Sequence, residues 1–309
     1  MLRQRAQVLS DIRTFFLAKN VLEVETPALS QAANTDPYIE SFSLHKGKRF
    51  LHTSPEYAMK RLLASGSGDI YQICKVWRAE EAGKNHNPEF TLLEWYRVGF
   101  DYHQLMKEVE DLLTSLLSLK KRAKFYSYKQ LFIEFLQLNP HKADHSTLIH
   151  CVKEHVPELN IVNEADWLHQ DLLDILLTHC LEPHFEKERL TFVYDYPVTQ
   201  SALANIRQET KAKEAVAERF EVYLGDRELG NGYQELTNAE KNIEVIATEL
   251  RQRKRRQQPL VPEDTRFLAA MKHGMPFTSG VAIGIDRLLM CKFNKDHIQQ
   301  VISFSWDTA

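Results

Sequence analysis

The chain has 309 residues, enough for one large domain or about two of average size. Its 43% hydrophobic and 26% charged residues exclude disordered, collagenous and fibrous classes, and a formal net charge of -3 lacks the basic excess of general phosphate-backbone binders. Four cysteines scattered without a CxxC pair, no apolar run approaching the roughly 18 residues of a membrane helix, and no signal-like N-terminus predict reduced thiols in a cytoplasmic protein with no membrane contact.

Leu2 to Lys19 reads as a helix, because Leu2, Ala6, Leu9, Ile12, Phe15 and Phe16 recur at helical spacing. Val21 to Glu25 reads as a short strand ended by Thr26-Pro27. From Phe50 to Arg97, short β-rich runs surround one helical stretch, Pro55 to Ala64, and Tyr102 to Leu119 carries an apolar stripe of Leu105, Val109, Leu112, Leu113, Leu116 and Leu117. Residues 120–183 are helical and His-rich; strands return at Thr191 to Tyr196 and from Arg219 onward. The basic run Arg251 to Arg256 reads as a solvated helix face, and a glycine-rich strand-to-helix step follows near the end. With no Pro/Gly/Ser linker, one α/β domain spanning 1–309 with a helical insertion at about 120–183 is expected. His141, His145, His150 and His155 with Cys151 match no metal-ligand spacing, and the histidines are read as surface residues.

Three segments carry chemistry. In the first, Val76 to Glu80 and Pro88 to Tyr96 flank a polar loop, which makes a hairpin whose period of two sets Phe90, Leu92, Glu94 and Tyr96 on one face. A ring, a carboxylate and a phenol together suit a pocket that stacks a base and holds an ammonium group, with Arg78 placed for a phosphate or carboxylate; an amphipathic surface hairpin is the other reading. In the second, Arg219 to Leu224 and Arg227 to Leu236 are joined by Gly225-Asp226, a two-residue turn signal that places Glu221 diagonally from Glu228 on one face. Two such carboxylates repel unless a cation sits between them, and Mg²⁺ takes one or two carboxylates with water and phosphate oxygens; a solvent-facing hairpin is the alternative. Gly230 and Gly232 invite a bulge that would re-aim Asn231 and Glu235. The third segment, Ser279 to Met290, reads as a buried strand with glycines running into a helix whose first turn holds Arg287.

Taken in order, Thr26-Pro27 after a long helix, Arg78-x-Glu80 with the loop to His86 and Phe90, and Gly284-x-x-Arg287 resemble motifs 1, 2 and 3 of the class II aminoacyl-tRNA synthetases. Pro55-Glu56, the His86-Asn87-Pro88-Glu89-Phe90 run, Glu94 with Tyr96, and Glu228-Leu229-Gly230-Asn231-Gly232 through Glu235-Leu236 are similar to the lysyl-tRNA synthetases within that class. Nearly the whole chain is covered, most weakly in the helical middle. Two features depart from the lysyl enzymes. The motif 1 helix begins at Leu2, where those enzymes carry an anticodon-reading OB domain first, so no tRNA reader and no stable tRNA binding are expected. Ser54 stands where they usually carry alanine, and Ala282 where they usually carry glycine. Both substitutions, with the Phe220 to Tyr223 text, resemble the family of free-standing paralogues that ligate (R)-β-lysine to elongation factor P.

The resemblance implies a class II fold, a mixed and mainly antiparallel sheet flanked by helices, in a homodimer joined at the motif 1 helix. It implies an AMP-forming ligase using ATP and Mg²⁺, with elongation factor P and a lysine isomer as partners. Phe90 would stack on adenine, and Arg78 and Arg287 would hold phosphates and act in catalysis. Glu80, Asn87, Glu228, Leu229 and Gly284 would line the ATP site, and Glu221 and Glu228 would hold Mg²⁺. Glu235 and Tyr96 would take the terminal ammonium, Ser54, Glu56 and Glu94 the other amine beside Ala282, and Asn231 the carboxylate. Two competing functions are a minimal enzyme that loads α-lysine onto tRNA or a small acceptor, and a non-catalytic regulatory subunit. Mild acidity argues against the first, and the joint presence of Arg78, Arg287, Glu221 and Glu228 against the second.

Overall fold

Val8, Ile12 and Phe16 bury one face of the first helix, α1 (Leu2–Ala18), in the computed structural model, which describes residues 1–79, 81–208 and 214–309. The expected strand at Val21 to Glu25 narrows to β1 (Leu22–Glu23), and a small antiparallel sheet follows from β2 (Leu29–Ser30), β3 (Ser43–Leu44) and β4 (Arg49–Leu51) in the order β2-β4-β3. Helix α2 (Glu56–Ala64) starts behind Pro55, with an acidic residue in its first turn. The Ser54 hydroxyl accepts the Glu56 N–H at 3.0 Å, satisfying one of the helix's orphan donors. The hairpin strands are β5 (Ile70–Trp77) and β6 (Glu89–Val98), and the predicted stripe of Leu105, Val109, Leu112 and Leu116 buries one face of α3 (Tyr102–Leu117).

Two compact units divide the chain, Met1–Leu117 with Gly232–Ala309, and Ser118–Asn231. In the second, β7 (Lys124–Ser127) leads into α4 (Tyr128–Leu136), whose Ser127 and Gln130 form a reciprocal capping box. Asp144 caps α5 (His145–His155), and α6 (His169–Leu176) completes the helical stretch. β8 (Leu190–Pro197) pairs parallel with β7 and antiparallel with β10 (Val216–Leu224), which bulges between Ala217 and Phe220 and also pairs with β9 (Ile206–Arg207). Gly225 takes φ +58 in the turn into β11 (Arg227–Gln234), a conformation that favours glycine; β11 runs unbroken across Gly230 and Gly232. Of the middle histidines, His145 ties to the Trp167 carbonyl at 2.9 Å and Cys151 is buried. Among the described residues no group of three His, Cys, Asp or Glu side chains is placed to hold a metal.

The chain completes the first unit with α7 (Ala239–Arg255), α8 (Thr265–His273), β12 (Thr278–Gly284) and α9 (Ile285–Lys292). Its sheet runs β1-β5-β6-β12, with β1 and β5 parallel and the other pairs antiparallel. The described pairings are thus mixed and mainly antiparallel, with nine described α-helices beside them, as the resemblance implied. Met59 and Leu63 of α2, Ile246 of α7 and Phe267 and Met271 of α8 form one core over Ile70 and Tyr96. The basic run is not uniformly solvated as expected. Arg253 is fully buried, donating to the carbonyls of Asp36 (2.8 Å), Ile39 (3.3 Å) and Pro259 (3.1 Å) and pairing with Glu40 at 2.5 Å. It sits on the inner face of α7, with Ile246 two turns before it.

Candidate active site

Antiparallel pairing sets side chains in rows across β5, β6 and β12. Gln72, Glu94 and Ala282 are direct partners, and Ile70, Tyr96 and Gly280 form the next row, so each row shares one face. Glu94 is buried and accepts hydrogen bonds from Ser54 Oγ at 2.6 Å and from Tyr96 Oη at 2.7 Å. Burial, and then the nearby charge of Glu56, push its carboxyl up to about 7. Glu235, just past β11, hangs its backbone N–H on the Thr278 carbonyl at 3.0 Å, and its Oε2 lies 2.5 Å from Nζ of Lys60. The same ammonium lies 2.6 Å from Oε1 of Glu56. Burial raises the Glu235 carboxyl, with Lys60 opposing and Glu56 adding. A Cβ at position 280 would clash with both Glu235 Oε1 and the Tyr96 ring, so glycine is what lets these two side chains lie against β12. A cleft of about 300 Å³, lined by Asn34, Arg49, His52 and Arg61 among others, opens onto Ser54 and Glu56.

The expected amine residues therefore gather in the first unit, with a different grouping. Tyr96 is bonded to Glu94, and Glu235 is partnered by Lys60. Lys60 escaped the sequence reading because an i, i+4 Glu-Lys pair on a helix ordinarily marks a solvated face; the buried flanks Met59 and Leu63 were the available signal. Gln72 was also missed. It is buried beside Glu94, and its Oε1 has no hydrogen-bond partner among the described residues.

Arg78 follows β5 and Phe90 is the second residue of the facing strand, so the hairpin register (Val76 opposite Phe90) puts the guanidinium 5.1 Å from the Phe90 ring. Its Nη1 is 3.6 Å from Glu81. Glu80 lies outside the described residues. Gly284 is the N-cap of α9, and Arg287 Nη2 lies 2.5 Å from His86 Nε2. Burial and then the Arg287 charge lower the His86 pKa, which keeps that nitrogen an acceptor. Next to Arg287, Asp286 is held by Arg5 of α1 at 2.5 Å and accepts the Thr91 N–H at 2.7 Å. This link ties α1 to α9. Asn87 spends its amide on the Glu89 carbonyl (2.7 Å) and the Trp306 N–H (2.9 Å), fixing the loop.

In the second unit, Arg219, Glu221 and Tyr223 share one face of β10. Glu221 is buried, and its carboxylate accepts from Tyr196 Oη at 2.6 Å, from Tyr223 Oη and from Arg219 at 2.5 Å. Glu228 is near enough to act with Glu221 on Glu182, which burial and then these two charges push up to about 7. Leu229 is buried and Asn231 half-buried on β11.

The model of the tRNA synthetases class II (D, K and N) matches residues 1–308. Across 100% of its length the chain is 45% identical to the elongation factor P--(R)-beta-lysine ligase of Edwardsiella ictaluri (strain 93-146), covering 95% of that protein. It is 42% identical to the protein of the same name from Pectobacterium carotovorum subsp. carotovorum (strain PC1), again over 100% of this chain and 95% of that one. Against the Haemophilus ducreyi (strain 35000HP / ATCC 700724) protein of that name the identity is 43%, over 100% and 94%.

Proposed function

The chain belongs to the class II tRNA synthetases (D, K and N), and from that premise we propose that it is an ATP-dependent ligase joining (R)-β-lysine to a lysine side chain of elongation factor P. The observation that carries this reading is the gathering of Glu56, Glu94 and Glu235 beside Ser54 and Tyr96, a set of anions for a substrate with two ammonium groups, in a chain aligned end to end with ligases of that name. Loading of α-lysine onto tRNA, and a non-catalytic role, have no comparable support.

Activation needs no general base, since a carboxylate is already ionised at neutral pH. The lysine carboxylate attacks the α-phosphorus in line, the adenylate forms and pyrophosphate leaves. Arg78 is proposed to stabilise charge at the α-phosphate with Phe90 under adenine, Arg287 to meet the phosphate tail, and Gly284 and Leu229 to give close backbone approach. Glu80 keeps its ATP role by resemblance, and Asn87 shapes the loop. In the second step the acceptor amine attacks the adenylate carbonyl and AMP leaves. Asn231 is proposed to hold the substrate carboxylate.

Mg²⁺, when bound, supplies charge neutralisation to the triphosphate. Glu228 and Glu221 are the proposed ligands. Two lone-pair positions on Glu221 Oε2 are taken by phenols and one on Oε1 by Arg219, so Glu221 has room for a single further contact and Glu228 carries the larger share. A homodimer through α1 is proposed from the exposed Leu2 and Leu17 on that helix and the exposed Leu22 on the strand that follows it, and a cytoplasmic site of action from the scattered free thiols. The test is ATP–pyrophosphate exchange with (R)-β-lysine and α-lysine, followed by transfer to elongation factor P or to bulk tRNA. Exchange without transfer to elongation factor P would overturn the acceptor, and absence of exchange would overturn the activity.

A further inference from the structure

We propose that Lys60 is a resident counter-ion of the amine pocket, which cancels one of its three carboxylate charges and leaves two, one for each ammonium of the substrate. Its Nζ lies 2.5 Å from Glu235 and 2.6 Å from Glu56, and the lysine is fully buried on α2. Glu94, on β6, completes the acidic set. The other titratable groups facing this cluster are Tyr96 on β6, Tyr57 on α2, Cys74 on β5 and Glu249 on α7. All are protonated in their neutral forms around neutral pH, with Glu249 pushed up to about 8 chiefly by burial, so none offsets the glutamates. Burial alone would drive Lys60 towards the neutral amine, but Glu235 and Glu56 outweigh it and hold the ammonium. Three carboxylates without that charge would take up protons, and each proton taken up would have to leave before an ammonium could bind. A resident ammonium also bears on selectivity, because it fixes the charge that the pocket presents whatever its occupant. Lys60 is thus a positioning residue acting through Glu235 and Glu56.

The inference rests on the reading that this pocket takes a lysine isomer, and the experiment separates the two. Wild type, Lys60→Met, Lys60→Arg and the double variant Lys60→Met/Glu56→Gln are compared in pyrophosphate exchange with (R)-β-lysine and α-lysine over about pH 6 to 9, with KM for lysine and for ATP measured separately. Protons bound by each substrate-free protein are measured by difference titration. In Lys60→Met the KM for lysine should rise about tenfold near neutral pH and recover at higher pH, with its midpoint about one unit above wild type, while the ATP KM stays within about twofold. Lys60→Arg should keep the wild-type midpoint, the double variant should return towards it, and substrate-free Lys60→Met should bind additional protons. A wild-type midpoint in Lys60→Met, or equal losses for lysine and ATP, overturns the proposal. If Lys60→Met fails to fold while the double variant folds, uncompensated charge is the cause and the proposal stands; if neither folds, Lys60 is a packing residue and it falls. Should wild type exchange with neither isomer, the functional reading fails by itself, and the titration decides Lys60: additional protons support its role and their absence overturns it.

Discussion

Ser54 donates its hydroxyl hydrogen to Glu94 at 2.6 Å, reaching from the turn before α2 to the middle of β6. The bond favours the carboxylate, as does the one from Tyr96, yet burial and Glu56 prevail and hold Glu94 at about 7. Below about pH 7 the empty pocket therefore carries a proton that an incoming ammonium must displace. The sign follows: a raised carboxyl pKa weakens ammonium binding below it, so KM for lysine should fall as pH rises through about 7 and level off above. Glu94→Gln should raise that KM and flatten its dependence over this range. The measurement is KM for lysine against pH at saturating ATP, and a flat wild-type profile would count against the assignment.

Arg78→Ala should abolish adenylate formation without unfolding the protein. The guanidinium follows the end of β5, is partly exposed, lies 5.1 Å from the Phe90 ring and, among the described residues, makes only a long 3.4 Å bond to the Thr53 carbonyl and a 3.6 Å pair with Glu81. Removing a group that stabilises transition-state charge costs roughly 3 kcal/mol or more. Exchange within a few-fold of wild type, in a variant that still melts cooperatively, would falsify the role.

Arg253 gives a stability contrast within one basic run. Deleting one partner of a buried ion pair costs about 3 to 5 kcal/mol, and here three backbone carbonyls lose their donor as well. Arg253→Met should lower unfolding free energy by about that much, whereas exposed Lys254→Ala should stay within about 0.5 kcal/mol. Denaturant unfolding of both variants checks this. Equal effects would mean that the clamp on residues 36–40 contributes nothing special.

These two arginines also show where the sequence was readable. Alternation along 89–98 identified the face that carries Phe90, Glu94 and Tyr96, and the apolar stripe of α3 was legible because both patterns are local. Arg253 looked solvated because its neighbours are charged and its partners, Asp36 to Glu40, come from the other end of the chain. Lys60 was hidden for the same reason: Glu235 joins it only once the strands are assembled, and the local Glu56 partner mimics a surface pair. Pairing across three strands, which places Ala282 opposite Glu94, is likewise a property of register that no single window contains.

The two carboxylates proposed for Mg²⁺ should respond unequally. Glu221 is held by Tyr196, Tyr223 and Arg219, so Glu221→Gln loses a buried anion from a hydrogen-bonded network. Its principal expected effect is on stability, with a modest rise in the Mg²⁺ concentration for half-maximal exchange. Glu228→Gln should raise that concentration more, because it removes the carboxylate with the larger share of the ion. A Mg²⁺ titration of exchange activity compares them, and unchanged half-saturation in both variants would place the ion elsewhere.

The last prediction concerns the choice between lysine isomers. Moving an amino group from the α to the β carbon shifts one charged donor by a single carbon. Both positions that depart from the lysyl-tRNA synthetase pattern act at the same carboxylate: Ser54 bonds Glu94, and Ala282 is its cross-strand partner and half-exposed on that face. The Ala282 methyl occupies room beside Glu94 that glycine would leave open, and the Ser54 hydroxyl fixes the rotamer of the carboxylate that an amine must meet. Our hypothesis is that the methyl crowds the α-amine while the oriented carboxylate meets the β-amine. A shape change on the scale of one methylene is worth about 1 to 3 kcal/mol, or roughly 10- to 200-fold in specificity. Ala282→Gly, alone or with Ser54→Ala, should move kcat/KM towards α-lysine within that range. Neither side chain is proposed to touch the nucleotide, so the ATP KM should hold. Gly280, one row along, is the control for geometry, since Gly280→Ala would drive a methyl into Glu235 and Tyr96 and should cost activity with both isomers alike. If the Ser54→Ala/Ala282→Gly protein keeps the wild-type isomer ratio, discrimination is set outside the Glu94 row.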